Sequence, residues 1–203
     1  QRKGRAGRLQ EGTCTRLWSE SKQHSLKDFQ GEEILSADLA NLILELLAWG
    51  LTDYQTINWL TPPPSAHFES AKQLLTSLGL VSNGIASDDL VSDRGKITPL
   101  GIKASKLGLH PRLATMLLQA QSPLETGMAC ELSALLSEND IFYHRNGVDI
   151  IERLIALQDY KSDKKTALQS WPLKAAIVAQ VLNTTKSLKN NLKISTQATI
   201  YSL

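Results

Sequence analysis

The sequence predicts a mostly α-helical protein with one small β-hairpin set among its helices. Apolar residues recur at helical spacing in segment after segment from Leu39 to Leu182. Helix starts and stops are written plainly, as Thr98-Pro99 and Ser122-Pro123 at beginnings and Gly50, Gly79 and Gly108 at ends. Between the helices, the stretch from Leu80 to Ile97 carries two turn signals, Asn83-Gly84 and Asp93-Arg94-Gly95, and reads as a hairpin.

The 203 residues are enough for one large or two small domains. With 42% hydrophobic and 21% charged residues the composition is that of a soluble, globular protein. The longest apolar segment, Leu39 to Leu51, is broken by Asn41 and Glu45 and is too short to span a bilayer, and no signal peptide is visible. A cytoplasmic setting and no membrane partner are expected. Cys14 and Cys130 give neither a disulfide framework nor metal spacing, and His24, His67, His110 and His144 show no ligand spacing. No metal site is expected.

In chain order, Thr13 to Trp18 alternates with β-branched residues and reads as a strand. The polar run from Ser19 to Glu33 reads as a linker. Ser36 is expected to cap a helix with Asp38 in its first turn, whose stripe is Leu39, Leu42, Ile43, Leu46 and Leu47. Thr52-Asp53-Tyr54-Gln55 matches a capping box for a short helix ending near Trp59, before Pro62-Pro63-Pro64. A helix from about Ser65 to Leu78, the hairpin, and a helix from Thr98 to Gly108 follow. Three helices, a hairpin and a further helix suggest a winged helix. From Pro111 onward everything reads as helix. The expected stripes are Met128, Leu132, Leu135 and Leu136, then Val148, Ile151, Leu154 and Ile155. The last helix, from near Pro172 toward Leu192, has Leu173, Ile177, Val178, Val181 and Leu182 in register.

Charge is unevenly spread. Residues 1–8 hold four cations and no acid, residues 9–160 hold 11 Lys+Arg against 19 Asp+Glu, and residues 161–203 hold seven Lys against Asp163 alone. Any polyanion should meet the two basic ends. Lys186, Lys189 and Lys193 fall at i, i+3 and i+7, one face of the last helix, either a solvated face or a phosphate-tracking strip. Trp49, Trp59 and Trp171 offer rings for base stacking, but their apolar neighbours favour burial. A thiol nucleophile is not expected, since neither cysteine has a base partner in sequence.

The first eight residues, Gln1-Arg2-Lys3-Gly4-Arg5-Ala6-Gly7-Arg8, have the form Q-R-x-G-R-A-G-R. Guanidinium groups at that density suit phosphate, which they grip bidentately at any working pH. The pattern resembles motif VI of the superfamily-2 helicases, in the form shared by DEAH-box RNA helicases. Ile97-Thr98-Pro99-Leu100-Gly101 and His110-Pro111-Arg112-Leu113-Ala114 resemble landmarks that follow the core in that family, with His110 in the place of an aspartate. Leu46-Leu47-Ala48-Trp49-Gly50 and the basic C-terminal region look most like the bacterial HrpB-type helicases.

The resemblance implies a tail of the second RecA-like domain with motif VI (1–20), a linker (21–35), a winged helix (36–107) and a ratchet-like helical bundle (108–203). It implies that Gln1, Arg5 and Arg8 face the γ-phosphate of ATP, with Arg5 and Arg8 catalytic, and that single-stranded RNA passes the bundle, with Lys186, Lys189 and Lys193 as its contacts. ATP with Mg2+ would be the intact protein's cofactors, and the rest of the helicase core a partner in the same chain. No G-x-x-x-x-G-K-[ST] occurs, since Gly95-Lys96 is followed by Ile97 with Leu90 in the place of the first glycine, and no D-E-x-H or D-E-x-D occurs. The chain therefore reads as a fragment, inactive alone. The rival reading is a non-enzymatic winged-helix module docking DNA or a protein. Its obvious recognition helix, Ser65 to Leu78, carries only Lys72 against Glu69, which speaks against reading DNA directly.

Overall fold

Apolar periodicity and punctuation become nine α-helices in the described residues of a computed structural model, which cover 7, 9–26, 31–51, 56–82, 95–143 and 147–192. The fold is mostly helical, as the punctuation predicts. Residues 9–18 are all exposed and form no strand. Alternation encodes a face, but a strand also needs a neighbour for its N–H and C=O groups, and no described residue pairs with this stretch. The predicted linker contains one short helix, α1 (Glu20–Ser25), capped by Ser19, whose Oγ accepts from the Lys22 N–H at 3.3 Å. No residue of α1 is buried.

Helix α2 (Ala40–Ala48) begins later than Ser36 suggested, after a 3-10 turn at Glu33–Leu35. Asp38 supplies the cap, its Oδ1 accepting from the Ala40 N–H at 2.8 Å, while the Ser36 hydroxyl donates to the Glu33 carbonyl. An ionised acceptor makes the stronger bond at a helix N-terminus. The stripe is buried as expected, with Leu39, Ile43, Leu46 and Leu47 in the core and Leu44 added. Gly50, at φ 89°, ends the helix and lets the Leu51 N–H return to the Leu46 carbonyl at 2.9 Å. The proposed capping box at 52–55 lies outside the described residues.

After the prolines, α3 (Ser65–Ser77) packs on α2 and buries Phe68, Ala71 and Leu75. The expected hairpin is seen at its base. Val81 and Ile97 form an antiparallel bridge, and the Ser82 N–H donates to the Lys96 carbonyl at 2.9 Å. Residues 83–94, with the predicted turn Asn83-Gly84, lie outside the described residues. Helix α4 (Pro99–Ser105) has Thr98 as its cap and Pro99 at its first turn. The Thr98 hydroxyl accepts from the Gly101 N–H at 3.0 Å and donates to the Gly79 carbonyl at 2.8 Å, tying the start of α4 to the end of α3. Gly101 is buried there. An added Cβ would run into the Leu80 carbonyl oxygen and stand 2.6 Å from Ile97 Cγ1.

Helices α5 (Pro111–Leu118) and α6 (Pro123–Ser137) follow. The capping box at Ser122 is present: its Oγ accepts from the Glu125 N–H at 3.2 Å, and Glu125 reaches back to the Gln121 N–H at 2.8 Å. The expected stripe of α6 needs correction. Leu135 is buried as expected, but Leu136 is exposed, Met128 and Leu132 are half-buried, and the rest of the buried face is Gly127, Ala129, Cys130, Glu131, Ser133 and Ala134. Small residues let α9 approach closely along this side, so the larger side chains turn outward. Helix α7 (Ile150–Ser162) likewise buries Leu154 and Leu157, while Val148 and Ile151 are exposed.

A short α8 (Lys164–Ser170) precedes α9 (Ala175–Asn191), which sinks Val178, Val181 and Leu188. Leu173 is buried just ahead of α9, bridging to Phe142 rather than joining the helix. Two apolar clusters result. One lies among α2 to α5, continuous across position 107/108, and the other among α6 to α9. Ala129, Cys130 and Leu188 belong to the first cluster, so α6 and the end of α9 join the two halves.

Candidate nucleotide and nucleic-acid interfaces

Basic side chains function by what they can reach, so the first question is where the predicted ones lie. Gln1, Arg5 and Arg8 lie outside the described residues, as does Lys193. Lys186 is exposed on α9. Lys189, one turn further, is only 8% exposed and belongs to the interior. The three lysines therefore do not make the single exposed strip that their spacing suggested. Residue 189 falls on the edge of α9 that meets α6.

Lys189 is drawn inward by a charge that sequence reasoning missed. Glu131, on α6, is fully buried, and its Oε1 lies 2.6 Å from Lys161 Nζ of α7 and 3.6 Å from Lys189 Nζ of α9. A carboxylate taken out of water needs a cation close by, and here two helices supply one each. The signal in the sequence was slight: an acid placed four residues from both Gly127 and Leu135, among small residues. Beside it, burial pushes the Cys130 thiol up to about 11, so the thiolate is disfavoured and the expectation of no thiol nucleophile agrees with the chemistry there.

The histidine in the second landmark has two partners. His110 Nδ1 accepts from the Arg112 N–H at 3.3 Å, capping α5, and Nε2 lies 3.1 Å from Asp38 Oδ2. The Ala40 N–H, and then His110, hold the Asp38 carboxyl below its ordinary range against the opposing effect of burial. Imidazole thus does the capping work of the missing aspartate and also joins α5 to α2.

A second organised surface lies where the loop after α6 meets the segment before α9. Phe142 is buried and stacks on Trp171, with ring centroids 5.9 Å apart and planes 7° from parallel. The Arg153 guanidinium sits 4.8 Å from the Phe142 ring and bonds Asp140 Oδ2 at 3.0 Å, the Asp149 carbonyl at 2.9 Å and the Gly147 carbonyl at 3.1 Å. For Asp140, burial works against the charge, but Arg153 and the Phe142 N–H outweigh it and the carboxyl stays below its ordinary range. Trp171 is half-buried, its indole N–H donating to Asp159 Oδ2 at 2.8 Å, and Trp59 is half-buried as well. Trp49 departs from the burial expected of it, at 76% exposed, because it caps the end of α2 on the side away from the core.

No group of three or more His, Cys, Asp or Glu among the described residues is placed to hold a metal ion. Among them, too, no helix is long and apolar enough to cross a membrane.

Fold and side chains together define a predominantly helical protein, built from two joined helical clusters and tied by ion pairs between helices. No protein family's sequence profile matches the chain. Individual relatives do. It is 40% identical over 121 residues to the ATP-dependent RNA helicase HrpA of Escherichia coli K12, an alignment taking 60% of this chain and 9% of HrpA. It is 35% identical over 138 residues to the ATP-dependent RNA helicase HrpB of the same organism, with 68% of this chain and 16% of HrpB aligned. A crystal structure of the E. coli DEAH/RHA helicase HrpB superposes with a TM-score of 0.65 at 27% identity, covering 94% of this chain and 20% of that one. The chain is a homologue of the HrpA- and HrpB-type ATP-dependent RNA helicases, and it spans less than a quarter of the length of each of these three.

Proposed function

We propose that this chain is the region following the catalytic core of an ATP-dependent RNA helicase. The observation that carries the reading is the 40% identity to HrpA over 121 residues, in a chain that also resembles HrpB in fold over 94% of its length. Gln1, Arg5 and Arg8 would contribute the motif VI side of the nucleotide site. The guanidinium groups of Arg5 and Arg8 would meet the γ-phosphate, where negative charge spreads over the equatorial oxygens during transfer. ATP supplies the phosphoryl group, and the ligands for its Mg2+ would come from the other parts of the intact protein. Helices α2, α3 and α4 with the paired arms at 80–82 and 95–98 would form a winged helix. Together with the bundle α5 to α9 it would couple closure of the core to movement of single-stranded RNA. Exposed Lys186 remains the phosphate contact of the predicted strip that the surface supports best.

The test is a pair of substitutions in the intact protein. Arg5→Ala and Arg8→Ala should each lower basal, RNA-free kcat for ATP hydrolysis by roughly 10³-fold or more while RNA affinity changes little, since such arginines act on the transition state. Lysine at either position should rescue poorly, because a point charge lacks the planar fork. Normal basal kcat with lost RNA affinity would make residues 1–8 an RNA-binding tail instead. The 203-residue chain alone should hydrolyse no ATP.

A further inference from the structure

Tyr143 stands out as a large aromatic ring left 65% exposed on backbone that is held from several directions. Its N–H donates to the Pro172 carbonyl at 2.9 Å, the Lys174 N–H donates to the Ile141 carbonyl at 2.7 Å, and Phe142 bridges Leu173 between them. The neighbouring Phe142 is itself fixed by its stack on Trp171 and by the Arg153 guanidinium. The Lys174 ammonium lies over one face of the ring, its Nζ 6.0 Å from the ring centroid and 3.2 Å from the Asp140 carbonyl oxygen that accepts from it.

We propose that Tyr143 and Lys174 form a stacking site for one unpaired nucleobase of a single RNA strand, the ring taking the base and the ammonium the neighbouring phosphate. This rests on the reading of the chain as part of an RNA helicase. Three features favour a base over a protein side chain. An aromatic face accepts any base without hydrogen-bond readout, as a strand passing through requires. A fixed mount removes most of the ordering cost that an exposed ring would otherwise pay on binding. A cation over one face of the ring leaves the other face for a base and suits a ligand that presents an aromatic plane and an anion one backbone unit apart. The ring contributes little to the fold, because the buried members of this loop are its neighbours Ile141 and Phe142.

The experiment uses the 203-residue chain and a short single-stranded RNA carrying one 2-aminopurine. Binding by the unaltered chain should quench the 2-aminopurine as it stacks. Tyr143→Ala should abolish the quenching and weaken binding about 5- to 150-fold, the effect of losing one stacked base. Tyr143→Phe should keep both. Lys174→Ala should leave the quenching but reduce the slope of log affinity against log salt by about 0.7, the share of one phosphate on a single strand. If the alanine variant loses its thermal transition, Tyr143→Leu, which keeps apolar bulk without a flat face, reads the same difference. Equal affinity and equal fluorescence for Tyr143→Ala and the unaltered chain would overturn the proposal and leave the ring to a protein partner, with the helicase reading intact. Loss in Tyr143→Phe as large as in Tyr143→Ala would assign the effect to the hydroxyl and also overturn it. If the unaltered chain binds no RNA, this site and the RNA-binding role of the region fall together, while the arginine test of the nucleotide site stands apart.

Discussion

His110 and Asp38, 72 positions apart, meet at 3.1 Å, and each also serves a helix N-terminus: Asp38 that of α2, His110 that of α5. The pair explains why a histidine suits this position. An aspartate at 110 could cap α5 equally well, but it would bring a second carboxylate against Asp38. His110→Asp should therefore destabilise the chain, and Asp38→Asn in the same molecule should recover part of the loss. His110→Ala should cost about 1 kcal/mol through the cap, the solvent-exposed contact with Asp38 adding little. Denaturant midpoints for these three variants and for Asp38→Asn alone check this, and an additive double variant would show that the two side chains act independently.

Acid sensitivity follows from the same site and from Asp140. Both carboxyls are held below their ordinary value of 3.8 in the folded protein. A group with a depressed folded pKa adds stability above its unfolded pKa and loses it as pH falls through the folded one. Stability should thus decline as pH drops from about 4 toward 2. Asp38→Asn and Asp140→Asn should each flatten that decline while lowering stability near neutrality. Urea unfolding across this pH range is the measurement, and an unchanged slope in both variants would place the acid-labile charges elsewhere.

Gly101 offers a steric prediction. Its missing Cβ makes room for the Leu80 carbonyl, where the hairpin base crosses the first turn of α4. Gly101→Ala should cost about 1–3 kcal/mol by forcing this backbone contact apart. The usual gain of alanine over glycine in a helix, about 1 kcal/mol, is smaller and should not rescue it. A Tm equal to that of the unaltered chain would mean that the hairpin base moves aside at no cost.

How much of this was legible beforehand depends on the kind of signal. Local punctuation was readable, because Thr98, Ser122 and Gly50 act on backbone groups within four residues of themselves. Ser36 misled since Asp38 stands two residues later and binds the same class of N–H as an ion. The faces of α6 and α7 were legible only in part. Leu135 and Leu154 are buried as their spacing suggests, while Leu136 and Val148, equally apolar, are exposed; on α6 the close approach of α9 to the small residues decided which side faced inward. That is a long-range fact no window of sequence contains. Lys189 was assigned to a charged face by its spacing alone, while its partner Glu131 lies 58 positions away.

Glu131 gives the strongest test of the bundle interior. Glu131→Leu removes the buried carboxylate that faces Lys161 and Lys189, which should cost several kcal/mol, up to about 3–5 by analogy with broken buried pairs. Lys161 suffers less, because its side chain is one-third exposed and can turn to water. Adding Lys189→Met removes the cation that faced Glu131 and should restore part of the loss. Chemical denaturation of the single and double variants gives the coupling, and a double variant no more stable than Glu131→Leu would show that packing, not charge, was disturbed.

The last prediction separates the two lysines that spacing had grouped. Lys186 is exposed, so a phosphate can approach it without desolvating anything else. Lys189 is turned toward Glu131, and recruiting it would require giving up part of a buried ion pair. Lys186→Ala should therefore flatten the log-affinity against log-salt slope for a single RNA strand by about 0.7 and leave stability within about 0.5 kcal/mol. Lys189→Ala should do the reverse: an unchanged salt slope, with a lower denaturant midpoint. The protein must be kept well below its unfolding transition in both titrations, so that loss of fold is not read as loss of affinity. Equal changes in slope for the two variants would mean that α9 presents both lysines to RNA, and would require the Glu131 pairing to open when RNA binds.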